Sequence, residues 1–154
     1  MSIIDARLKE LGISLPVPPL PVAAYVPYTT TGNLVFISGQ VPFKDGALKY
    51  VGKLGADFSI EVGQAAAQLC AINVLSVLKV ACEGDLDRVV QCLKVTVYVN
   101  ATPDYDKQPE IANGASDLFA AVFGDVGKHA RAAVGMGSLP RGVAVEVDAI
   151  FEIK

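Results

Sequence analysis

The closing stretch His129–Lys154, HARAAVGMGSLPRGVAVEVDAIFEIK, plants Arg131, Glu146, Asp148 and Glu152 in an otherwise apolar run. A guanidinium presents five donors in a planar fork, suited to gripping a carboxylate bidentately. Arg131 therefore reads either as a clamp for a carboxylate ligand or as one half of a cross-strand ion pair with Glu146 or Asp148. An exposed pair of that kind is worth no more than about 1 kcal/mol. Glu146 could orient a water or move a proton if burial held its pKa near neutrality, or it could simply keep a strand soluble. Tyr25 could place a phenolic hydroxyl in a pocket, or pack as most strand tyrosines do. His129, the only histidine in the chain, stands in a loop and reads as a surface residue.

Other chemistries lack their residues. There is no phosphate-cradling glycine loop, no Gly-x-Ser-x-Gly elbow, no His-Glu-x-x-His and no paired Cys/His ligand set. Cys70, Cys82 and Cys92 form no Cys-x-x-Cys pair, and they read as reduced, buried small hydrophobes rather than reactive thiols. The balance of 13 basic against 16 acidic residues carries no basic footprint for a nucleic acid. The N-terminus is too polar for a signal peptide, and the longest apolar runs fall short of the ~18 residues of a membrane span. A soluble, cytoplasmic protein without membrane association is expected.

At 154 residues the chain fits one domain, 1–154. Ser2 and Asp5 can cap a short helix with Ile4, Leu8 and Leu11 on one face, stopped at Gly12. The four prolines of Leu15–Val22 force an extended strap laid over the surface, so 1–21 forms an N-terminal helix and strap. Val22–Tyr28 and Leu34–Val41 are β-prone and joined by a turn at Gly32-Asn33. Phe43–Phe58 reads as a loop with a short strand near Ala47–Val51. The spacing predicts a mostly buried helix over Ser59–Cys82, a strand over Val89–Val99 and a second helix over Asp104–Phe123. A hairpin turned at Ser138–Gly142 then closes the chain. The order β-β-α-β-α-β-β predicts an α+β sandwich with both helices on one face of the sheet.

Alternation along the last strand points Val143, Val145, Val147, Ala149, Phe151 and Ile153 toward the helices and Glu146, Asp148 and Glu152 away. On the strand before it, Ala132, Val134 and Met136 read as helix-facing. Arg131, Ala133, Gly135 and Gly137 then share the bare face with Ala144 and Ile150. A simple hairpin register would set Arg131 opposite or diagonal to Glu146 and Asp148. That face is neither solvated nor greasy, which fits an oligomer interface containing a polar pocket or ordinary partial exposure.

The run Ala130-Arg-Ala-Ala-Val134, Leu139-Pro140 and Val145-Glu-Val-Asp-Ala-Ile150 resembles the C-terminal signature of the RidA/YjgF family, the reactive intermediate deaminases, also called endoribonuclease L-PSP. Ile37-Ser-Gly-Gln-Val-Pro42 resembles the family's Ser-Gly-Gln-x-Pro element, with Tyr25 at the tyrosine's distance before it. Gln64–Asn73, Gly84–Val90 and Val95–Val99 also fit. The resemblance runs from about Tyr25 to the end. Five loose motifs in the right order are specific together.

This resemblance implies a chorismate-mutase-like fold, a mixed sheet whose second face lies in a homotrimer core, with clefts between subunits. It implies cofactor-free, metal-free hydrolysis of enamines or imines such as 2-aminoacrylate to 2-keto acids and ammonia. Arg131 takes the place of the arginine that binds the carboxylate of a small metabolite, and Glu146 that of the glutamate that positions water. Tyr25, Ser38 and Gly39 take the places of the cleft tyrosine and the Ser-Gly element, and Asn113 that of the helix asparagine. The chain departs from the archetype at Ala133 for cysteine, Ser116 for tyrosine and His129 for proline. Its loop after Gln40 is longer and its N-terminal helix and strap are extra. These departures keep two other readings open, a non-catalytic trimeric binding or stress protein and an RNA-cleaving enzyme.

Overall fold

A computed structural model describes residues 2–19 and 21–154, so Met1 and, within the strap, Leu20 lie outside the described residues. Helix α1 (Ile3–Glu10) is capped as expected, Ser2 Oγ accepting from Asp5 N at 3.0 Å. Asp87 takes the next two orphan donors, its carboxylate accepting from Ile3 N and Ile4 N at 2.9 Å each. Those two hydrogen bonds hold the Asp87 carboxyl below its ordinary pKa and tie the start of α1 to the short helical turn Leu86–Arg88.

Strand β1 (Tyr28–Thr31) and β2 (Leu34–Gln40) form the expected hairpin. Gly32 takes φ +55° at the first turn position, which a side chain would resist. The strand expected from Val22 begins only at Tyr28, because Pro21 and Pro27 remove ladder donors. The loop that follows holds a small hairpin, β3 (Phe43–Lys44) and β4 (Ala47–Leu48).

Helix α2 (Ile60–Ala81) is bounded by Ser59, which accepts from Val62 N, and by Cys82. Its length and composition alone would suit a membrane span, a possibility that no run in the sequence had suggested. Here Ala66, Ala67, Cys70, Val74, Leu75 and Leu78 are instead fully buried in the core. Helix α3 (Gln108–Phe123) starts four residues later than the spacing predicts. Pro109 decides this: a helix begun at Asp104 would place it where its missing N–H is required.

Strands β5 (Val89–Asn100), β6 (Ala130–Met136) and β7 (Val145–Ile153) complete a five-stranded mixed sheet of order β1-β2-β7-β5-β6. Both long helices cover one face, around Phe119, Phe151, Leu75 and Ile111, with Phe119 and Phe151 edge-to-face at 5.8 Å.

The closing hairpin is not formed. β6 pairs parallel with β5, β7 pairs antiparallel with β5 and β2, and β5 therefore separates β6 from β7. The chain crosses the end of β5 through a turn at Pro140–Gly142 with Arg141 at φ +58°. Asn100, 3% exposed, holds the crossing. Its N–H donates to Ala144 O and its Nδ2 to Val143 O, while its Oδ1 accepts from Lys53 Nζ, which also donates to Gly137 O. Alternation specifies which residues share a side of a strand, but not which strand lies next to it.

Candidate active site

The parallel register sets Arg131 beside Val95, which is fully buried under the helices, and Ala133 beside Val97. Arg131, Ala133 and Gly135 therefore face the helices, opposite to the expected orientation of β6. Gln108 of α3 lies over the Gly135 end of this edge, its Nε2 2.9 Å from where a Cβ on Gly135 would sit, so there is little room at that point of the strand. The larger Val134 turns outward and is 38% exposed.

From that edge Arg131 reaches across to α3. Its Nη1 donates to Asn113 Oδ1 at 2.8 Å and to Ser116 Oγ at 3.2 Å. No carboxylate pairs with it among the described residues, so the cross-strand ion pair with Glu146 or Asp148 is not formed. Nη1 is occupied by α3, while Nε and Nη2, the edge whose N–H bonds run parallel, make no hydrogen bond among the described residues. The Arg131 fork is positioned and unpaired.

Ser116 also meets His129. Its Oγ lies 2.9 Å from His129 Nε2, and the ring's Nδ1 lies 2.7 Å from Gly127 O. The ring stands edge-on to Phe119 at 5.9 Å. Burial lowers its pKa from the ordinary value; the Gly127 carbonyl opposes that shift and the Arg131 charge adds to it. The histidine is thus a half-buried member of the cluster and not the surface residue expected.

Glu146 lies in a second cluster on the bare face. Between Ile37 and Gln40, β2 inserts a bulge in which Ser38 and Gly39 together oppose Asp148 of β7. The Glu146 carboxylate rests against this bulge: a Cβ on Gly39 would stand 2.7 Å from Oε1 and 3.1 Å from Cδ. Glycine is needed here for close approach. Burial raises the Glu146 pKa above its ordinary value, and the nearby Asp148 raises it further. Asp148 also accepts from Tyr98 Oη at 2.8 Å, a structural role that spacing had not suggested. Ser38 Oγ donates to Val26 O at 2.6 Å, and its N–H to Pro27 O, tying down the segment that carries Tyr25. Tyr25 itself is 59% exposed. With Gly39 and Gln40 it lines one end of a cleft of about 540 Å³ walled by strap prolines Pro16, Pro18 and Pro19.

We expect Gly39→Ala to fold, because the group in the way is the tip of a flexible side chain. Under the deaminase function proposed below, its turnover should fall by roughly 10²-fold, the cost of displacing a catalytic group by about 1 Å. Near-wild-type turnover in this variant would show that the carboxylate need not rest there.

The fold thus gathers the eight expected residues into two clusters. Arg131, Ala133, Asn113 and Ser116 lie on the helix side of the β6 edge, and Glu146, Gly39, Ser38 and Tyr25 lie at the β2–β7 bulge. Within one chain Arg131, beside Val95, and Glu146, beside Tyr98, lie on opposite sides of the sheet.

The model of a family described as "YjgF/chorismate mutase-like, putative endoribonuclease" matches residues 5–148. The chain belongs to the YjgF family. Protein TCP17 of Trypanosoma cruzi is 47% identical over 97% of this chain and 94% of that protein. A crystal structure of a protein of unknown function from Agrobacterium tumefaciens is 46% identical and superposes with a TM-score of 0.92, covering 98% of this chain and 92% of that one. Another, of a putative endoribonuclease from Shewanella oneidensis, is 33% identical with a TM-score of 0.93 over 97% of this chain and 99% of that one. The YjgF match takes in α1 from residue 5, so the N-terminal helix and strap fall within the matched chain and are shared by these relatives.

For the YjgF signature the sequence marked Arg131, Asn113 and Ser116, but not that His129 joins them. The signal lay in the paired departures at Ser116 and His129, which turn out to touch. The three cysteines are buried as expected, and burial pushes the Cys92 thiol up to about 12.

Proposed function

We propose that this chain is a cofactor-free enamine/imine deaminase, working in clefts between the subunits of a homotrimer in the cytoplasm. The observation that carries the reading is the Arg131 fork, anchored by Asn113 and Ser116 and left without a carboxylate partner. A small 2-imino acid supplies that partner. Two copies support the reading better than one, because Arg131 and Glu146 lie on opposite sides of one chain's sheet. The bare face offers an apolar contact, with Phe36 39% and Val134 38% exposed beside Ile150 and Ala132.

An imine carbon is already electrophilic, so catalysis needs chiefly placement and proton transfer. Arg131 holds the substrate carboxylate. Glu146 takes a proton from water as the oxygen bonds to the imine carbon and passes it to the imine nitrogen, which gives the neutral carbinolamine. It then takes the carbinolamine hydroxyl proton and delivers it to the same nitrogen, so that ammonia leaves as the carbonyl of the 2-keto acid forms. The raised pKa of Glu146 suits a group that must both accept and return a proton.

The test generates 2-aminoacrylate in situ and follows pyruvate and ammonia release, alongside light scattering. Faster release with a trimeric mass is expected. No acceleration would leave the non-catalytic binding reading. Cleavage of RNA by the same preparation would favour the activity in the family description, against which the formal charge of −3 counts.

Glu146→Gln should lose roughly 10²- to 10⁴-fold in kcat, the usual worth of a general base. In wild type, kcat should fall as pH drops through the raised Glu146 pKa, and the glutamine variant should lack that limb. A group whose folded pKa is raised above its unfolded value destabilises the fold once it ionises. Glu146→Gln should therefore match or exceed wild-type thermal stability at pH 7.5, with the difference vanishing as pH falls below the carboxylate range. A less stable variant at pH 7.5 would contradict the burial of that charge.

A further inference from the structure

We propose that His129 is a positioning residue for Arg131, acting through Ser116 to orient the carboxylate clamp. The inference rests on the deaminase reading of Arg131 and adds a residue to it. The argument is one of donors and acceptors. A carbonyl oxygen carries no proton, so the contact between Gly127 O and His129 Nδ1 requires the proton on Nδ1. In the neutral ring Nε2 is then an acceptor, and among the described residues the proton it meets, at 2.9 Å, is that of Ser116 Oγ. With its hydrogen donated to the ring, Ser116 presents lone pairs to Arg131 Nη1 at 3.2 Å. Asn113 Oδ1 accepts from the same nitrogen at 2.8 Å. The chain of polarity runs from Gly127 through His129 and Ser116 to the guanidinium, and every link has one donor and one acceptor.

The consequence for ligand is geometric. A guanidinium on an exposed edge strand sweeps many rotamers, and each costs entropy to freeze on binding. Two acceptors on Nη1 freeze it in advance and turn Nε and Nη2 outward as a bidentate pair. The ring is placed to serve this from a rigid setting: Phe119 packs edge-on against it at 5.9 Å, and Phe119 is fully buried. Gly127 reaches the ring because the turn Gly124–Gly127 folds tightly back onto α3, where a Cβ on Gly127 would meet Phe119 O.

His129 is the only histidine, so its side-chain nitrogens can be observed without overlap in a long-range ¹H–¹⁵N spectrum. The wild-type protein at pH 7.5 should show Nδ1 protonated and Nε2 bare. Pyruvate serves as the carboxylate probe, titrated into wild type and variants whose folding is checked by thermal unfolding. Ser116→Ala and His129→Asn should each bind it about tenfold more weakly, the equivalent of one hydrogen bond to a charged group. The double variant should be no worse than either single one, because both break the same link. His129→Gln places an amide oxygen near the Nε2 position and should restore binding to within about twofold of wild type. In turnover the loss should appear in KM with kcat nearly unchanged, as expected for a contact made equally to substrate and transition state. A protonated Nε2, or wild-type binding by His129→Asn, overturns the relay while leaving the clamp intact. Equal weakness of the Asn and Gln variants overturns it too, since the ring would then act by packing on Phe119. Wild-type binding by Arg131→Ala overturns the clamp itself, and the relay with it.

Discussion

Arg131→Ala is expected to remove substrate capture while leaving the fold intact. Truncating one partner of a hydrogen-bonded charge pair costs about 2–5 kcal/mol, which corresponds to a loss in kcat/KM of roughly 30-fold to several thousand-fold. The side chain lies exposed on the edge strand β6 and fills no core volume, so the thermal midpoint should barely move. Arg131→Lys should be nearly as poor despite keeping the charge. An ammonium cannot hold Asn113 and Ser116 on one nitrogen while offering a parallel pair of N–H bonds to a carboxylate. If either variant turned over 2-aminoacrylate like wild type, carboxylate recognition would have to lie elsewhere.

Gly114→Ala is expected to destabilise the protein by about 3 kcal/mol, at the upper end of overpacking costs. Two effects oppose each other here. Removing a glycine from a helix interior gains about 1 kcal/mol of helix propensity. Against that, the added Cβ would stand 2.1 Å from Gln64 O and 2.8 Å from its C and Cα. These are backbone atoms of α2, so no rotamer change relieves the contact and the helices must part. One position away along α2 the same seam is also close, a Cβ on Gly63 meeting the Ile111 Cδ1 methyl at 2.5 Å. Overpacking therefore wins, and the midpoint should drop by about 6–12 °C for a chain of this size. Activity should fall as well, because Asn113 and Ser116 flank Gly114 and move with α3. A thermal melt at or above wild type would show that the two helices are not seated on this glycine.

His129 illustrates how far one sequence can be read. A lone histidine in a loop belongs to no period, and nothing local indicates what will fold over it. Its environment is made by α3 ending at Gly124 and by the turn that brings Gly127 back over Phe119. Asn113 and Ser116 were easier to mark because a known signature carries them. That they grip Arg131 together follows from helical geometry, three residues apart on one face.

Local chemistry was sufficient for much of the fold. Ser59 and Cys82 bound α2 as the capping and period of the segment require, and β7 buries Val145, Val147, Ala149, Phe151 and Ile153 by strict alternation. The sequence also determined which side chains could do chemistry, since an arginine fork and a glutamate in an apolar hairpin-like run stand out by type. Three things were decided only by the tertiary structure. The first is that β5 lies between β6 and β7, because a ladder joins residues far apart in sequence and Asn100 secures the crossing where a hairpin turn was expected. The second is the inward side of β6, since Arg131, Ala133 and Gly135 face the helices because β6 pairs parallel with β5 in the register that sets Arg131 beside Val95. The third is the partner of each site residue, with Arg131 against α3 and Glu146 against the Gly39 bulge. Periodicity is a property of a segment, whereas neighbours and free space belong to the packed whole.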